Sequence, residues 1–177
     1  MDGNKEKANS LLKLAHIEEP PIDVHKIAKL LGFTIIESDF PDNYSGEIYI
    51  EGNVKSIGVN KNHSFTRQRF TIAHEIGHYI NGHEYFDEDG EMLSEGEFDF
   101  KNPKHQQEKE ANQFGSELLM PEDMLKKELD KVKLDISFLT KKFQVSPQAL
   151  WIRLISSHMA DKYSPAGEIP DGTPQEE

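Results

Sequence analysis

The sequence predicts an α+β fold in which a small antiparallel or mixed sheet packs on a helical core, with additional helices toward the C-terminus. Apolar residues recur at helical spacing in segments at both ends of the chain. Short runs rich in β-branched residues are confined to residues 33–60. One block of strands between helical segments is typical of an α+β arrangement.

Two helices are predicted within residues 1–32. The first runs from Asn4 to Ile17 and stops before Pro20-Pro21, because proline cannot continue a helix. The second follows Asp23, whose side chain can cap the helix start, and it ends at Gly32.

Three strands are predicted within residues 33–60. The first is Phe33–Glu37, and two further runs are Gly46–Ile50 and Lys55–Asn60. The segment Glu51-Gly52-Asn53 between the last two is typical of a hairpin turn.

The remaining elements are helical. Ser64 or Thr66 can cap a helix that contains FTIAHEIGHY, residues 70–79. Further helices are predicted at about 103–119, after Pro121, at 136–143 and, with Ser146 as N-cap, at 147–158. We expect residues 1–160 to form one domain: N-terminal helices 1–32, sheet 33–60, helices 64–129 around the candidate site, and C-terminal helices 135–158. The tail 164–177 is rich in proline, glycine and acids, and we expect it to be disordered.

Composition limits the possible functions. The chain has no cysteine, so any metal must be held by His, Asp or Glu. No segment has the roughly 18 consecutive apolar residues of a membrane span, and the polar N-terminus does not resemble a signal peptide, so we expect a cytoplasmic protein.

A formal charge of −12 makes direct binding to nucleic acid unfavourable. Residues 84–99 contain eight carboxylates and no Lys or Arg, which indicates a solvated loop or a rim that selects basic partners.

The HEIGH stretch predicts a zinc site. His74 and His78 are four residues apart, so on a helix both imidazoles face the same side and can bind one ion. Glu75 lies next to the first histidine, where its carboxylate can act as the base for water that the zinc activates. Gly77 inside this helix costs about 1 kcal/mol relative to alanine, which indicates close approach of another helix.

A catalytic zinc site needs a third protein ligand. The spacing HExxHxxGxxH is absent, because Asn81 and Glu84 occupy the positions where it requires glycine and histidine. We favour Glu108 on a second helix over Glu110, because Asn112 lies one turn after Glu108 and can hydrogen-bond the outer nitrogen of a ligating histidine. The other candidates are His63, His83, His105 and Glu110. On the same second helix, Ala111 and Gly115 are small enough to let the two backbones approach.

FTIAHEIGHY followed by EKEANQFGSELLMP resembles the ImmA/IrrE family of bacterial metallopeptidases, from about Gly46 to Pro121 and more loosely to His158. The resemblance implies a gluzincin-like α+β domain. It also implies zinc binding by His74, His78 and Glu108, with Glu75 as the catalytic residue. Family members commonly cleave or inactivate helix-turn-helix repressors of mobile elements or stress-response genes, so a protein substrate of this kind is expected. Gly115-Ser116 and the long acidic connection depart from the usual family pattern.

Two features of the expected mechanism stay open in the sequence. The oxyanion needs a donor besides the metal, and Tyr79, His83 and His105 are candidates. The strand Ser56–Asn60, if it lies at the sheet edge, could pair with an extended substrate, although it could equally be an ordinary core strand.

Two rival functions remain. Residues 136–155 have the outline of a helix-turn-helix, with Lys141, Lys142 and Arg153 as basic residues, but many of the other positions are apolar, which disfavours contacts to DNA bases. Alternatively, the chain could be a metal-binding regulator, or a component of the toxin–antitoxin type, that binds a partner protein without cutting it. No pattern in the sequence specifies an oligomeric state.

Overall fold

The computed structural model of the protein describes residues 3–83 and 103–163. In these two ranges the elements, in chain order, are α1 (Gly3–Leu14), α2 (Val24–Leu30), β1 (Thr34–Ser38), β2 (Gly46–Glu51), β3 (Val54–Asn60), α3 (Phe65–Asn81), α4 (Pro103–Leu119), α5 (Glu122–Val132), α6 (Ile136–Phe143), α7 (Pro147–Ser156) and α8 (Met159–Tyr163). The acidic run 84–99 and the tail 164–177 lie outside the described residues, and the expectations for them stay predictions. The predicted α+β class is confirmed.

The three strands form one mixed sheet in the order β1-β3-β2. β1 pairs in parallel with β3, and β2 pairs with β3 in antiparallel fashion, with Ile48 opposite Ile57. β3 is therefore the central strand, and the expectation that Ser56–Asn60 could form the sheet edge is wrong. The strand at the edge on the hairpin side is β2, because β1 occupies the other side of β3.

Local sequence signals locate several element boundaries. The side chains of Asp23, Ser64 and Ser146 each accept a hydrogen bond from the backbone N–H three residues on, as predicted for helix N-caps. Gly52 has φ 56° in the two-residue turn between β2 and β3, a conformation that favours glycine. The predicted caps and hairpin turn are confirmed.

The hydrophobic core lies between the sheet and the helices and includes residues from most elements. α3 contacts both β2 and β3, and it crosses α4, which in turn contacts α1. The largest fully buried side chains are Phe114, Phe143, Ile22, Ile27, Ile57, Ile72, Ile76, Leu118, Leu119, Met120, Leu125 and Leu129. Within the two described ranges, no helix is long and apolar enough to cross a membrane.

The C-terminal helices pack against the rest of the chain. Leu139, Phe143, Leu150 and Leu154 are fully buried. Arg153, considered above as a possible DNA contact, is 5% exposed because its guanidinium is paired with Glu117 of α4. The burial of this cation removes one of the three basic groups on which a helix-turn-helix function would depend. The short helix α8, after His158, was not predicted.

Candidate metal centre

The candidate site is built on the crossing of α3 and α4, where the two backbones are in direct contact. A Cβ on Gly77 would lie 3.0 Å from the carbonyl oxygen of Ala111, and a Cβ on Gly115 would lie 3.3 Å from the backbone nitrogen of His74. Larger residues at either glycine would separate the helices. The close approach that Gly77, Ala111 and Gly115 predicted is therefore present, and it brings the HEIGH stretch next to α4.

The structure brings His74, His78 and Glu108 together. One nitrogen of each ring and one carboxylate oxygen all lie within 4.8 Å of one another. Glu108 Oε2 is 3.2 Å from His74 Nε2, Glu108 Oε1 is 3.1 Å from His78 Nε2, and the two Nε2 atoms are 2.9 Å apart. The three groups selected from the sequence as candidate ligands thus converge on one point.

The outer nitrogen of each histidine has a hydrogen-bond partner. Asn112 Oδ1 lies 2.9 Å from His74 Nδ1, which is the contact expected from the position of Asn112 one turn after Glu108. His83 Nδ1 lies 2.9 Å from His78 Nδ1. Since the Nδ1 atoms are engaged in this way, the Nε2 atoms are the ones available to a metal ion.

This donor set fits a zinc ion. Zinc binds histidine nitrogen at about 2.0–2.1 Å, so a tetrahedral site separates its ligand atoms by roughly 3.3 Å. The separations of 2.9 to 3.2 Å between the three donor atoms are close to that value. Two imidazole nitrogens and one carboxylate also leave room for a fourth, non-protein ligand, as in catalytic sites.

The other candidate ligands lie elsewhere. His63 Nε2 is 2.9 Å from the carbonyl oxygen of Asp42. His83 and Glu110 contact each other behind His78, with 3.1 Å between Nε2 and Oε2. Neither His83 nor His105 belongs to the metal-binding group found among the described residues.

The charged groups at the site have shifted pKa values. Burial tends to raise the pKa of Glu108, but hydrogen bonds from His74 and His78 outweigh it and hold the pKa of this carboxyl well below its ordinary value. Glu75 behaves in the opposite way, because burial raises its pKa and the nearby histidines only partly oppose that effect. The two carboxylates differ accordingly: Glu108 is held as an anion, and Glu75 is the more basic of the two.

The site opens into a cleft of about 1670 Å³. His74, Glu75, His78, Glu108 and Asn112 line its central part, β2 supplies Gly46, Glu47 and Ile48, and α7 supplies residues such as Ala149 and Ile152. A Cβ on Gly46 would lie 2.5 Å from Thr71 Cγ2, so glycine at this position allows β2 to lie directly against the metal-site helix.

Tyr44 is a cleft residue that the sequence did not indicate. Its hydroxyl donates to Glu47 Oε2 at 3.1 Å, and burial together with the charge of Glu47 raises its pKa to about 12. The charge of Glu75 contributes to the same shift, because Tyr44 and Glu75 lie near each other. Tyr44 precedes β2 in a loop, and no spacing relates it to the HEIGH stretch.

The three residues that the sequence offered as oxyanion donors are not among the described residues that line the cleft. Tyr79 accepts a hydrogen bond from Lys55 Nζ at 2.6 Å and packs edge-on against Phe33. His83 lies behind His78, and His105 is not among the described residues that line the cleft.

The fold and the site together define a metallopeptidase-type domain, with two helical histidines, a glutamate from a crossing helix and a second glutamate in the same cleft. The chain belongs to the Peptidase_M78 family: the model of the IrrE N-terminal-like domain matches residues 28–154. This confirms the resemblance to the ImmA/IrrE family.

Known structures add information on the fold. The structure of a Mycobacterium tuberculosis transcriptional regulator matches with a TM-score of 0.63 at 15% sequence identity. The match covers 87% of this chain and 47% of that chain, so the present chain spans about half the length of the regulator. A comparison with curated proteins finds no significant match.

Proposed function

We propose that the protein is a zinc-dependent endopeptidase and that its substrate is a helix-turn-helix transcriptional repressor. The peptidase activity is supported by one observation: His74, His78 and Glu108 converge in an open cleft that Glu75 also lines. The repressor substrate rests on the family resemblance. Zinc as the resident metal is supported by the two-nitrogen, one-carboxylate donor set.

His74, His78 and Glu108 would hold the zinc, which when bound lowers the pKa of water and polarises the scissile carbonyl. Glu75 accepts the proton of the attacking water and later passes it to the leaving amine. Its raised pKa favours this role, because a more basic carboxylate takes up the proton more readily.

Tyr44 is the protein group best placed to stabilise the oxyanion. Tyr44 lines the cleft together with Glu75, and a pKa of about 12 keeps its hydroxyl protonated and able to donate at neutral pH. In the substrate-free protein the donor is engaged with Glu47, so it would turn from that carboxylate to the substrate oxygen during the reaction.

Among residues 3–83 and 103–163, no strand pairs with the edge of β2 that faces away from β3, and this edge is the best candidate for holding the substrate backbone. β3 occupies one edge of β2, and Gly46, Glu47 and Ile48 line the cleft. An extended peptide could add to this strand by backbone hydrogen bonds, which are independent of its side chains. This assigns to β2 the role first considered for Ser56–Asn60.

Cleavage can be tested with the zinc-loaded protein and purified repressors encoded beside its gene, followed by mass spectrometry. We expect the wild-type chain to give two fragments whose masses sum to the substrate plus one water. Glu75→Gln should keep its zinc and leave the repressor intact, while Glu6→Gln, a matched change on the exposed surface of α1, should cut normally. Equal cutting by Glu75→Gln and the wild type would exclude Glu75 as the base.

Glu75→Gln also distinguishes a peptidase from a regulator that acts by binding its partner without cutting it. In a cell-based derepression assay, Glu75→Gln should fail to relieve repression, because the repressor remains uncut. Full derepression by Glu75→Gln would support stoichiometric binding and contradict hydrolysis.

A further inference from the structure

His83 and Glu110 extend a chain of hydrogen bonds outward from His78. His83 Nδ1 is 2.9 Å from His78 Nδ1, and His83 Nε2 is 3.1 Å from Glu110 Oε2. This series of hydrogen bonds ends at Gln106, whose Nε2 donates to Glu110 Oε1 at 2.7 Å. The ring of His83 is buried, with 6% of its side chain exposed, whereas Glu110 is 38% exposed at the protein surface.

The end of α3 places the His83 ring against His78. Gly82 has φ 68°, in the left-handed region, and forms the C-cap at which the helix ends. The backbone N–H of His83 then donates to the carbonyl of His78 at 3.1 Å. Backbone geometry therefore brings the two rings together, although the residues are five positions apart in the sequence.

The carboxylate of Glu110 favours the tautomer of both rings that leaves His78 Nε2 able to bind a metal. A carboxylate only accepts hydrogen bonds, so His83 must carry its proton on Nε2 and present a lone pair at Nδ1. His78 must then carry its proton on Nδ1 in order to donate to His83. Its Nε2 is left with the lone pair, directed at His74 Nε2 and Glu108 Oε1, where a metal would bind.

The opposite arrangement is unfavourable at the Glu110 end, and at the other end it replaces the metal by a proton on His78 Nε2 that Glu108 Oε1, 3.1 Å away, would accept. A proton on His83 Nδ1 would leave a lone pair at Nε2 facing the Glu110 carboxylate. His78 would then carry its proton on Nε2, and that nitrogen could not bind a metal. Asn112 performs the corresponding task for His74 through a single amide oxygen.

We propose that His83 and Glu110 are positioning residues that hold His78 in its metal-binding tautomer and so set the affinity of the site for zinc. This inference rests on the proposed function, in which His74, His78 and Glu108 bind zinc. Outer partners of metal-binding histidines typically change metal affinity by about 10- to 100-fold.

The test measures the zinc dissociation constant by competition with a chelator. His83→Leu should weaken binding by about 10- to 100-fold, and His83→Gln, whose amide oxygen can accept from His78, should recover part of that loss. Glu110→Gln should weaken it by a smaller factor, and the double variant His83→Leu/Glu110→Gln should bind no more weakly than His83→Leu alone, because the two residues act in one chain.

The matched controls remove the same types of side chain at exposed positions on other helices. His25→Leu on α2 and Glu6→Gln on α1 should bind zinc as the wild type does. If His83→Leu does not fold, Glu110→Ala decides the question, because Glu110 lies at the surface and alanine leaves no acceptor for His83. Wild-type affinity in folded His83→Leu or in Glu110→Ala would overturn the proposal.

A second measurement does not depend on zinc. Nitrogen-15 NMR of the histidine rings should be recorded on the metal-free Glu108→Ala variant, in which the Glu108 carboxylate no longer faces His78 Nε2. We expect His78 to be protonated on Nδ1 in this variant, and this state should be lost when His83→Leu is added. Protonation of His78 on Nε2 in Glu108→Ala would overturn the positioning role even if the wild type binds zinc. The expected tautomer in Glu108→Ala, together with a wild-type chain that has no affinity for zinc, would instead overturn the proposed function.

Discussion

The guanidinium of Arg153 donates one hydrogen bond to each carboxylate oxygen of Glu117, both at 2.6 Å. A third bond goes from Arg153 Nε to the carbonyl of Met120 at 3.2 Å. Both side chains are 6% exposed, so the pair is almost entirely shielded from water. It joins α7 to α4, the helix that carries Glu108, and thereby ties the C-terminal helices to the metal site.

Arg153→Met should destabilise the protein by about 3–5 kcal/mol, because it leaves the carboxylate of Glu117 buried without its partner. Urea unfolding followed by the fluorescence of Trp151 would measure the change. Lys141→Met, at an exposed position on α6, should have little effect. The double variant Arg153→Met/Glu117→Leu should recover much of the loss, and failure to recover any would show that the pair is not the cause.

Gly77→Ala should destabilise the crossing of α3 and α4. Overpacking against Ala111 and Phe114 costs about 1–3 kcal/mol, and the better helix propensity of alanine offsets about 1 kcal/mol of it. We also expect weaker zinc binding, because Glu108 moves with α4. Thermal unfolding and a zinc titration would check both effects, with Gly3→Ala as control since no atom lies within 4 Å of its added Cβ.

Glu108→Ala and Glu110→Ala should affect zinc binding in different ways. Loss of Glu108 removes a ligand, so we expect the purified variant to contain almost no zinc. Glu110→Ala should bind one zinc per chain with reduced affinity. Measured zinc content would distinguish the two, and full zinc in Glu108→Ala with loss in Glu110→Ala would reverse the assignment of the third ligand.

Tyr44→Phe should lower kcat by about 100-fold or more, the effect expected for removing one oxyanion donor. KM and zinc content should change little, because the hydroxyl acts mainly in the transition state. Tyr49→Phe is the matched control, since its hydroxyl contacts the exposed Glu51. Unchanged kcat in Tyr44→Phe would require a different donor.

Stability should decrease at acid pH through Glu122. Hydrogen bonds from Lys126 and Lys5 lower its pKa to about 2 from an ordinary value of 4.5. Because the folded pKa is depressed, the contribution to stability is complete above about pH 4.5 and is lost as the pH falls toward 2. Carbon-13 NMR of the carboxyl would report the pKa, and Lys5→Met should raise it.

The sequence predicted those parts of the site and fold that depend on local spacing. HEIGH placed two histidines on one helix face, Asn112 marked the ligand face of α4, and Asp23, Ser64 and Ser146 marked helix starts. Each of these signals lies within one or two helical turns, where the backbone geometry is known in advance.

Features that depend on long-range packing could not be predicted. β3 is central because β1 pairs with it in parallel, and no residue of the Ser56–Asn60 run specifies that partner. Glu110 points away from Glu108 by helical geometry, as expected, but its contact with His83 requires the left-handed C-cap at Gly82. Tyr44 reaches the cleft through a loop whose path the buried Asn60 fixes by donating to several of its carbonyl oxygens.

The direct contact of backbones at Gly77 and Gly115 has a thermodynamic consequence for the metal site. Main-chain atoms have no side-chain rotamers, so a contact between two backbones cannot change by a rotamer switch. The distance between the two ligand-bearing helices should therefore fluctuate less than it would if flexible side chains filled the space between them. The donor groups are therefore held near their final positions before any ion arrives. Little conformational entropy remains to be lost on binding, and more of the coordination energy is expressed as affinity.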